Sequence, residues 1–128
     1  MKPIRILVSS PETSTGAFLE STLSASRFRV FTINPGPSFM ELAHRAEIAV
    51  IDCIDERPDV AQLEIAFLKK MRPKIPIIVI SRNSSDRDVR IVEQGIYYYL
   101  AGKPEEKLVR VIHAAAEMIG KSPNRRTI

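Results

Sequence analysis

The stretch from Glu47 to Asp55, EIAVIDCID, constrains this chain more than any other. Four consecutive apolar residues, Ile48, Ala49, Val50 and Ile51, run directly into an acidic one, Asp52. An apolar run without alternation marks a strand buried on both faces, and such strands belong to parallel sheets covered by helices. The carboxylate then stands at the strand's carboxyl end, where open α/β sheets place their sites. Two further runs repeat the pattern: Ile75 to Ile80 stops at Ser81, and Ile6 to Val8 stops at Ser9 and Ser10. Three strands are therefore expected to bring polar side chains to one edge.

Around these runs strand and helix patterns alternate. Ile4 to Val8 reads as the first strand, and a helix is expected from Ser10, as its cap, with Pro11 at the first helical position, to about Leu23. Phe28 to Ile33 reads as the second strand, closed by the turn Asn34-Pro35-Gly36. Phe39, Leu42, Ala43 and Ala46 then share one face of a short helix leading into the central strand. Beyond Asp55, a helix capped by Asp59, with Gln62 three residues on, is expected to bury Val60, Leu63, Phe67 and Met71 and to end at Arg72-Pro73. The fourth strand follows, then a polar loop from Arg82, a helix carrying Val89 and Val92 that Gly95 closes, and a fifth strand from Ile96 to Leu100. Pro104 starts a last helix with two adjacent apolar stripes, one of them Leu108, Val111, Ala115 and Met118. Such alternation implies right-handed crossovers and a parallel sheet covered on both faces.

At 128 residues the chain fits one domain, expected to span residues 1–121, with a polar tail or the start of a linker at 122–128. Its 45% hydrophobic and 27% charged residues are ordinary for a globular protein. The net charge of +4 would suit an acidic partner, but the basic residues are scattered, with no aromatic-interleaved run, so no direct nucleic-acid contact is expected. No segment reaches the ~20 apolar residues of a membrane span, and no membrane partner is expected. The single Cys53 excludes an internal disulfide and reads as an inert, core-packed thiol. The opening MKPIRILV is too short and too strand-like for a signal peptide, so a cytoplasmic location is expected. His44 and His113 have no ligand partner beside them and read as surface residues. The hydroxyl-rich SSPETSTG lacks the pattern of a phosphate-binding loop.

From Ile4 to about Ile119 the chain resembles the receiver domains of two-component response regulators. Their phosphoacceptor aspartate ends the third strand, and Glu47-Ile48-Ala49-Val50-Ile51-Asp52 is similar to the sequence that delivers it. Pro76-Ile77-Ile78-Val79-Ile80-Ser81 is similar to the fourth strand and its terminal hydroxyl. Gly95 to Pro104 is similar to the segment carrying the switch aromatic and the lysine, with one residue extra. The resemblance implies a flavodoxin-like (CheY-like) (βα)5 fold, a single α/β domain with sheet order 2-1-3-4-5. It also implies a pocket in which Asp52 is the phosphoacceptor position and Ser81, Tyr99 and Lys103 form the switch.

One departure bears on chemistry. Receivers hold Mg²⁺ with two acids after the first strand, and in this chain those places fall on Ser10 and Pro11. Glu12 is the nearest acid, displaced by one or two residues. The resemblance therefore implies first a degenerate receiver, with no cofactor and no enzymatic activity, that signals through protein contacts. These would include a histidine kinase or other signalling protein and a homodimer through the fourth-helix, fifth-strand and fifth-helix face. The alternative is a working receiver that takes a phosphoryl group onto Asp52 from a histidine kinase, with Mg²⁺ on Glu12, Asp52 and a backbone carbonyl. A third reading, on fold alone, is a flavodoxin-like domain binding a small anion at the same strand ends. Read blandly, Asp52 is a capping or solvated carboxylate, Ser81 a loop cap and Lys103 a solvated lysine.

Overall fold

Nearly every residue of the central strand is sealed from water, and the rest of the chain is arranged to seal it. The computed structural model describes residues 2–53, 58–81, 95–101 and 106–121. In order these form β1 (Ile4–Ser9), α1 (Ser14–Thr22), β2 (Phe28–Ile33), α2 (Pro37–Leu42), a single 3-10 turn (Ala43–Arg45), β3 (Ile48–Cys53), α3 (Pro58–Met71), β4 (Ile77–Ser81), β5 (Tyr98–Ala101) and α4 (Glu106–Lys121). The five strands form one parallel sheet in the order β2-β1-β3-β4-β5, as expected. The helix expected around Val89 and Val92 lies outside the described residues, as do Lys103, Pro104 and the 122–128 tail.

Because side chains alternate across a strand, each buried strand feeds two cores. Ile48 and Val50 of β3 join Ile6, Val8, Ile78 and Ile80 beneath α1 and α4, where Leu19, Leu108, Ile112 and Ala115 close over them. Ala49 and Ile51 join Leu7, Ile77 and Val79 on the opposite face, against Phe39 of α2 and Ala61, Ile65 and Leu68 of α3. Full burial of a Val, Leu or Ile side chain contributes about 1.5–3 kcal/mol, so this doubly covered strand is the costliest part of the sheet to disturb. On the α1 side the cover is close. A Cβ on Gly16 would overlap the hydroxyl of Thr32 on β2, so glycine is what lets α1 approach the sheet there.

Several elements depart from the sequence expectation. The first helix begins at Ser14, not at Ser10-Pro11, and no side chain caps it. β5 starts at Tyr98, two residues later than expected. Asp59 is the second residue of α3, not its cap. The buried stripe of α3 is also rotated. Ala61, Glu64, Ile65 and Leu68 face the sheet, while Leu63 and Met71, expected to be buried, are 64% and 41% exposed.

Glu64 explains that rotation. Its carboxylate is buried, and it accepts the Ser9 hydroxyl at 2.8 and 3.0 Å and the Gly36 backbone N–H at 3.2 Å. It thereby ties α3 to the end of β1 and to the β2–α2 turn. Gly36 has φ 108°, a conformation only glycine adopts without strain. A periodicity reading places a glutamate outside, so the stripe containing Glu64 is passed over in favour of its neighbour.

Burial raises the Glu64 pKa above its ordinary value of 4.5, more than the Ser9 and Gly36 hydrogen bonds lower it. A raised folded-state pKa means that the protonated form is favoured by folding. Its stability contribution is full below the unfolded value and is lost as pH rises through the folded one. Glu64→Gln keeps an acceptor for Gly36 and can donate to Ser9, so it should be at least as stable as wild type at pH 7 in urea unfolding. That advantage should shrink as pH falls toward 4.5. Glu64→Leu, which leaves the Ser9 hydroxyl and the Gly36 N–H unpaired, should cost about 1–3 kcal/mol. A Gln variant less stable than wild type at pH 7, or one whose advantage over wild type grew toward acid pH, would contradict this.

Candidate functional site

The buried polar side chains among the described residues gather at one place. Ser9, Ser10, Thr15, Asp52 and Glu64 are each at most 3% exposed, and all sit at or against the carboxyl edge of β1 and β3. Parallel strands make this happen. β1 and β3 pair in register from Ile6–Ile48 to Ser9–Ile51, so where one run of apolar residues ends the other ends beside it.

Alternation then sends the two carboxylates to opposite faces. Ser9 follows Leu7 onto the α3 side and meets Glu64. Asp52 follows Val50 onto the α1 side, where Oδ2 accepts the Thr15 hydroxyl at 2.5 Å and, more weakly, the Ser10 hydroxyl at 3.5 Å. Hydrogen bonds to a charged acceptor are worth about 1.5–3 kcal/mol each when well made. The bland reading of Asp52 as a solvated carboxylate does not hold, because the residue is 3% exposed and held by side chains. Ser10 is likewise no helix cap. Its Oγ accepts the Glu12 backbone N–H at 3.3 Å while donating to Asp52, which makes a turn before the helix.

Ser81 ends β4 half-buried, in register with Cys53, one residue beyond the Asp52–Ile80 pair. Tyr99 is buried on the α2–α3 side, while Tyr97 and Tyr98 are half-buried against the other core. Cys53 is half-buried at the margin of the core. His44 is exposed, but His113, expected at the surface, is half-buried, edge-on to Phe28 and bonded to the Val109 carbonyl. Pro11 and Glu12 are exposed, and Glu12 Oε1 takes the Ser14 hydroxyl.

These donors can be compared with what Mg²⁺ requires. The ion binds through oxygen, usually with one or two carboxylates supplied by the protein. At the two acid-pair positions the chain offers a buried hydroxyl already bonded to Asp52 and an exposed proline ring. Among the described residues no group of three or more His, Cys, Asp or Glu could hold a metal ion. The described residues at the two acid-pair positions do not supply the carboxylates of a receiver-type Mg²⁺ site. Thr15, whose hydroxyl meets Asp52, was not singled out by sequence, since it sits within a hydroxyl-rich segment without a distinguishing spacing.

No protein-family model matches the sequence, and no curated protein does. Solved structures do. The CheY-like protein TadZ of Pseudomonas aeruginosa aligns with a TM-score of 0.69 at 13% identity, covering 96% of this chain and 98% of that one. An orphan response regulator of H. pylori aligns at 0.67 and 21% identity over 88% and 95% of the two chains. A response regulator protein of Burkholderia multivorans aligns at 0.65 and 21% identity over 91% and 95%. Among the described residues no helix is long and apolar enough to cross a membrane. With its sheet order of 2-1-3-4-5 and helices on both faces, the chain has the CheY-like receiver fold.

Proposed function

We propose that this chain is a receiver-like signalling module of the two-component type that works through protein contacts and does not carry out Mg²⁺-dependent phosphoryl transfer at Asp52. The observation that supports it most is what stands beside Asp52 among the described residues: the hydroxyl of Thr15 and, at the first of the two acid-pair positions, that of Ser10, with the exposed Pro11 at the second. Phosphoryl transfer builds negative charge on oxygens that a cation must offset, and hydroxyl groups supply no such cation site. The alternative, a working phosphoacceptor fed by a histidine kinase, requires exposed Glu12 to turn from Ser14 toward Asp52. Incubation with Mg²⁺ and acetyl phosphate should leave the intact mass unchanged. A phosphoryl adduct that disappears in Asp52→Asn would overturn the reading in favour of the alternative.

The contact surface that best suits such a module lies over β5 and α4. Tyr97, Tyr98, Lys107, Arg110, Val111 and Ala114 line a shallow groove there, and Met118, one turn beyond Ala114, is 55% exposed. Exposed apolar area rimmed by charge marks interaction sites. A homodimer or partner contact through this face, independent of phosphorylation, follows. Met118→Glu should shift sedimentation toward monomer with the melting temperature nearly unchanged. A wild type that stays monomeric at high concentration and retains no partner would count against it.

A further inference from the structure

The basic residues look scattered along the sequence, but the fold collects them. In a parallel sheet every strand starts at one edge, and every crossover helix ends there. Lys2 precedes β1, Arg27 precedes β2, Arg45 closes the 3-10 turn before β3, and Lys70 and Lys74 flank the end of α3 before β4. All five are exposed, and among the described residues none has an ion-pair partner. With the strand order β2-β1-β3-β4, they spread over four adjacent strands, roughly 15 Å at the usual strand spacing.

Two neighbouring cations are committed inward. Lys69 Nζ donates to the carbonyls of Pro73 and Gly95 at 3.4 and 3.2 Å, and Arg72 donates to the carbonyls of His44 and Ala46. These bonds dock the end of α3 against the start of β3 and hold the edge in shape. The opposing charge is small. Glu47 is the acid at the edge itself and lies 3.5 Å from Arg5, while Glu20, Glu41 and Glu117 lie within about a turn of the ends of α1, α2 and α4, fewer acids than the charges that the five cations and Arg29 supply.

We infer that this amino edge docks on an anionic lipid surface. The cations alone would suit any polyanion, but Met71 narrows the choice. It is 41% exposed and is the last residue of α3, an apolar side chain at the helix tip in the same short segment as exposed Lys70 and Lys74. At a bilayer the lysines meet the headgroups while such a side chain enters the boundary with the acyl chains. A nucleic-acid backbone gives it nothing to enter. Each Lys or Arg held near an anionic leaflet strengthens binding by about fivefold, and the attraction fades with salt. The surface lies at the opposite end of the strands from Asp52, so the inference stands whether or not the pocket is silent.

The test is co-sedimentation of the 128-residue chain with vesicles of phosphatidylcholine alone and of phosphatidylcholine mixed with phosphatidylglycerol. At low salt the protein should partition onto the mixed vesicles and not onto the neutral ones. Lys70→Gln with Lys74→Gln should lower that partition more than about tenfold, and Met71→Ser should lower it further. Thr13→Glu with Ser38→Glu, at two exposed positions by the opposite ends of the strands, lowers the net charge by the same two units and should leave it within about twofold, at matched oligomeric state and melting temperature. Equal loss in both double variants would overturn the inference, because net charge alone would then explain binding. So would the absence of partition at low salt, or tighter binding to a DNA duplex with no effect of Met71→Ser.

Discussion

A strand covered on both faces can show a polar side chain only where it ends. Ile48 to Ile51 are each at most 2% exposed, with helices over either side, so Asp52 is the first position of β3 at which a carboxylate could be accommodated. The neighbouring strand ends in the same register, which brings Ser9 and Ser10 to the same line. The location of the polar cluster is therefore a consequence of how the core is sealed. What the cluster can do depends on which groups were delivered to it.

Among the described residues it received two buried carboxylates and several hydroxyls, divided by the sheet. On one face Asp52 is held by Thr15 and Ser10; on the other Glu64 is held by Ser9 and the Gly36 N–H. Burying a carboxylate is costly unless donors surround it, and each of these has them. The second couple fastens the β2–α2 turn to α3, which gives Glu64 a structural role on the side away from Asp52. The two acids are thus not a pair that could share a cation. The fold is that of a receiver, while the described donors resemble a hydrogen-bonded polar core more than an ion site.

Much of the architecture was legible in the sequence because apolar runs without alternation have few alternatives. The order of elements, the parallel sheet and the placement of Asp52 and Ser81 at strand ends followed from three such runs. The start of α1 did not, because Ser10-Pro11 has the form of a helix start while the Ser10 hydroxyl is engaged by Asp52 and by the Glu12 N–H. The buried face of α3 was missed for a related reason. Periodicity assigns Glu64 to solvent, and only the tertiary partners Ser9 and Gly36 make its burial tolerable. Thr15 carried no signal of its own, since what singles it out is the distance of its hydroxyl from Asp52.

Among the described residues Asp52 is met by hydroxyls at the carboxyl edge, and the proposed silence toward Mg²⁺ rests on that arrangement. A titration with Mg²⁺ followed by amide chemical shifts tests that silence directly. The account predicts that Ser10, Thr15, Asp52 and Cys53 show only small, non-saturating changes up to millimolar metal, the same in wild type as in Asp52→Asn. Saturable shifts centred on these residues in wild type and lost in Asp52→Asn would contradict it.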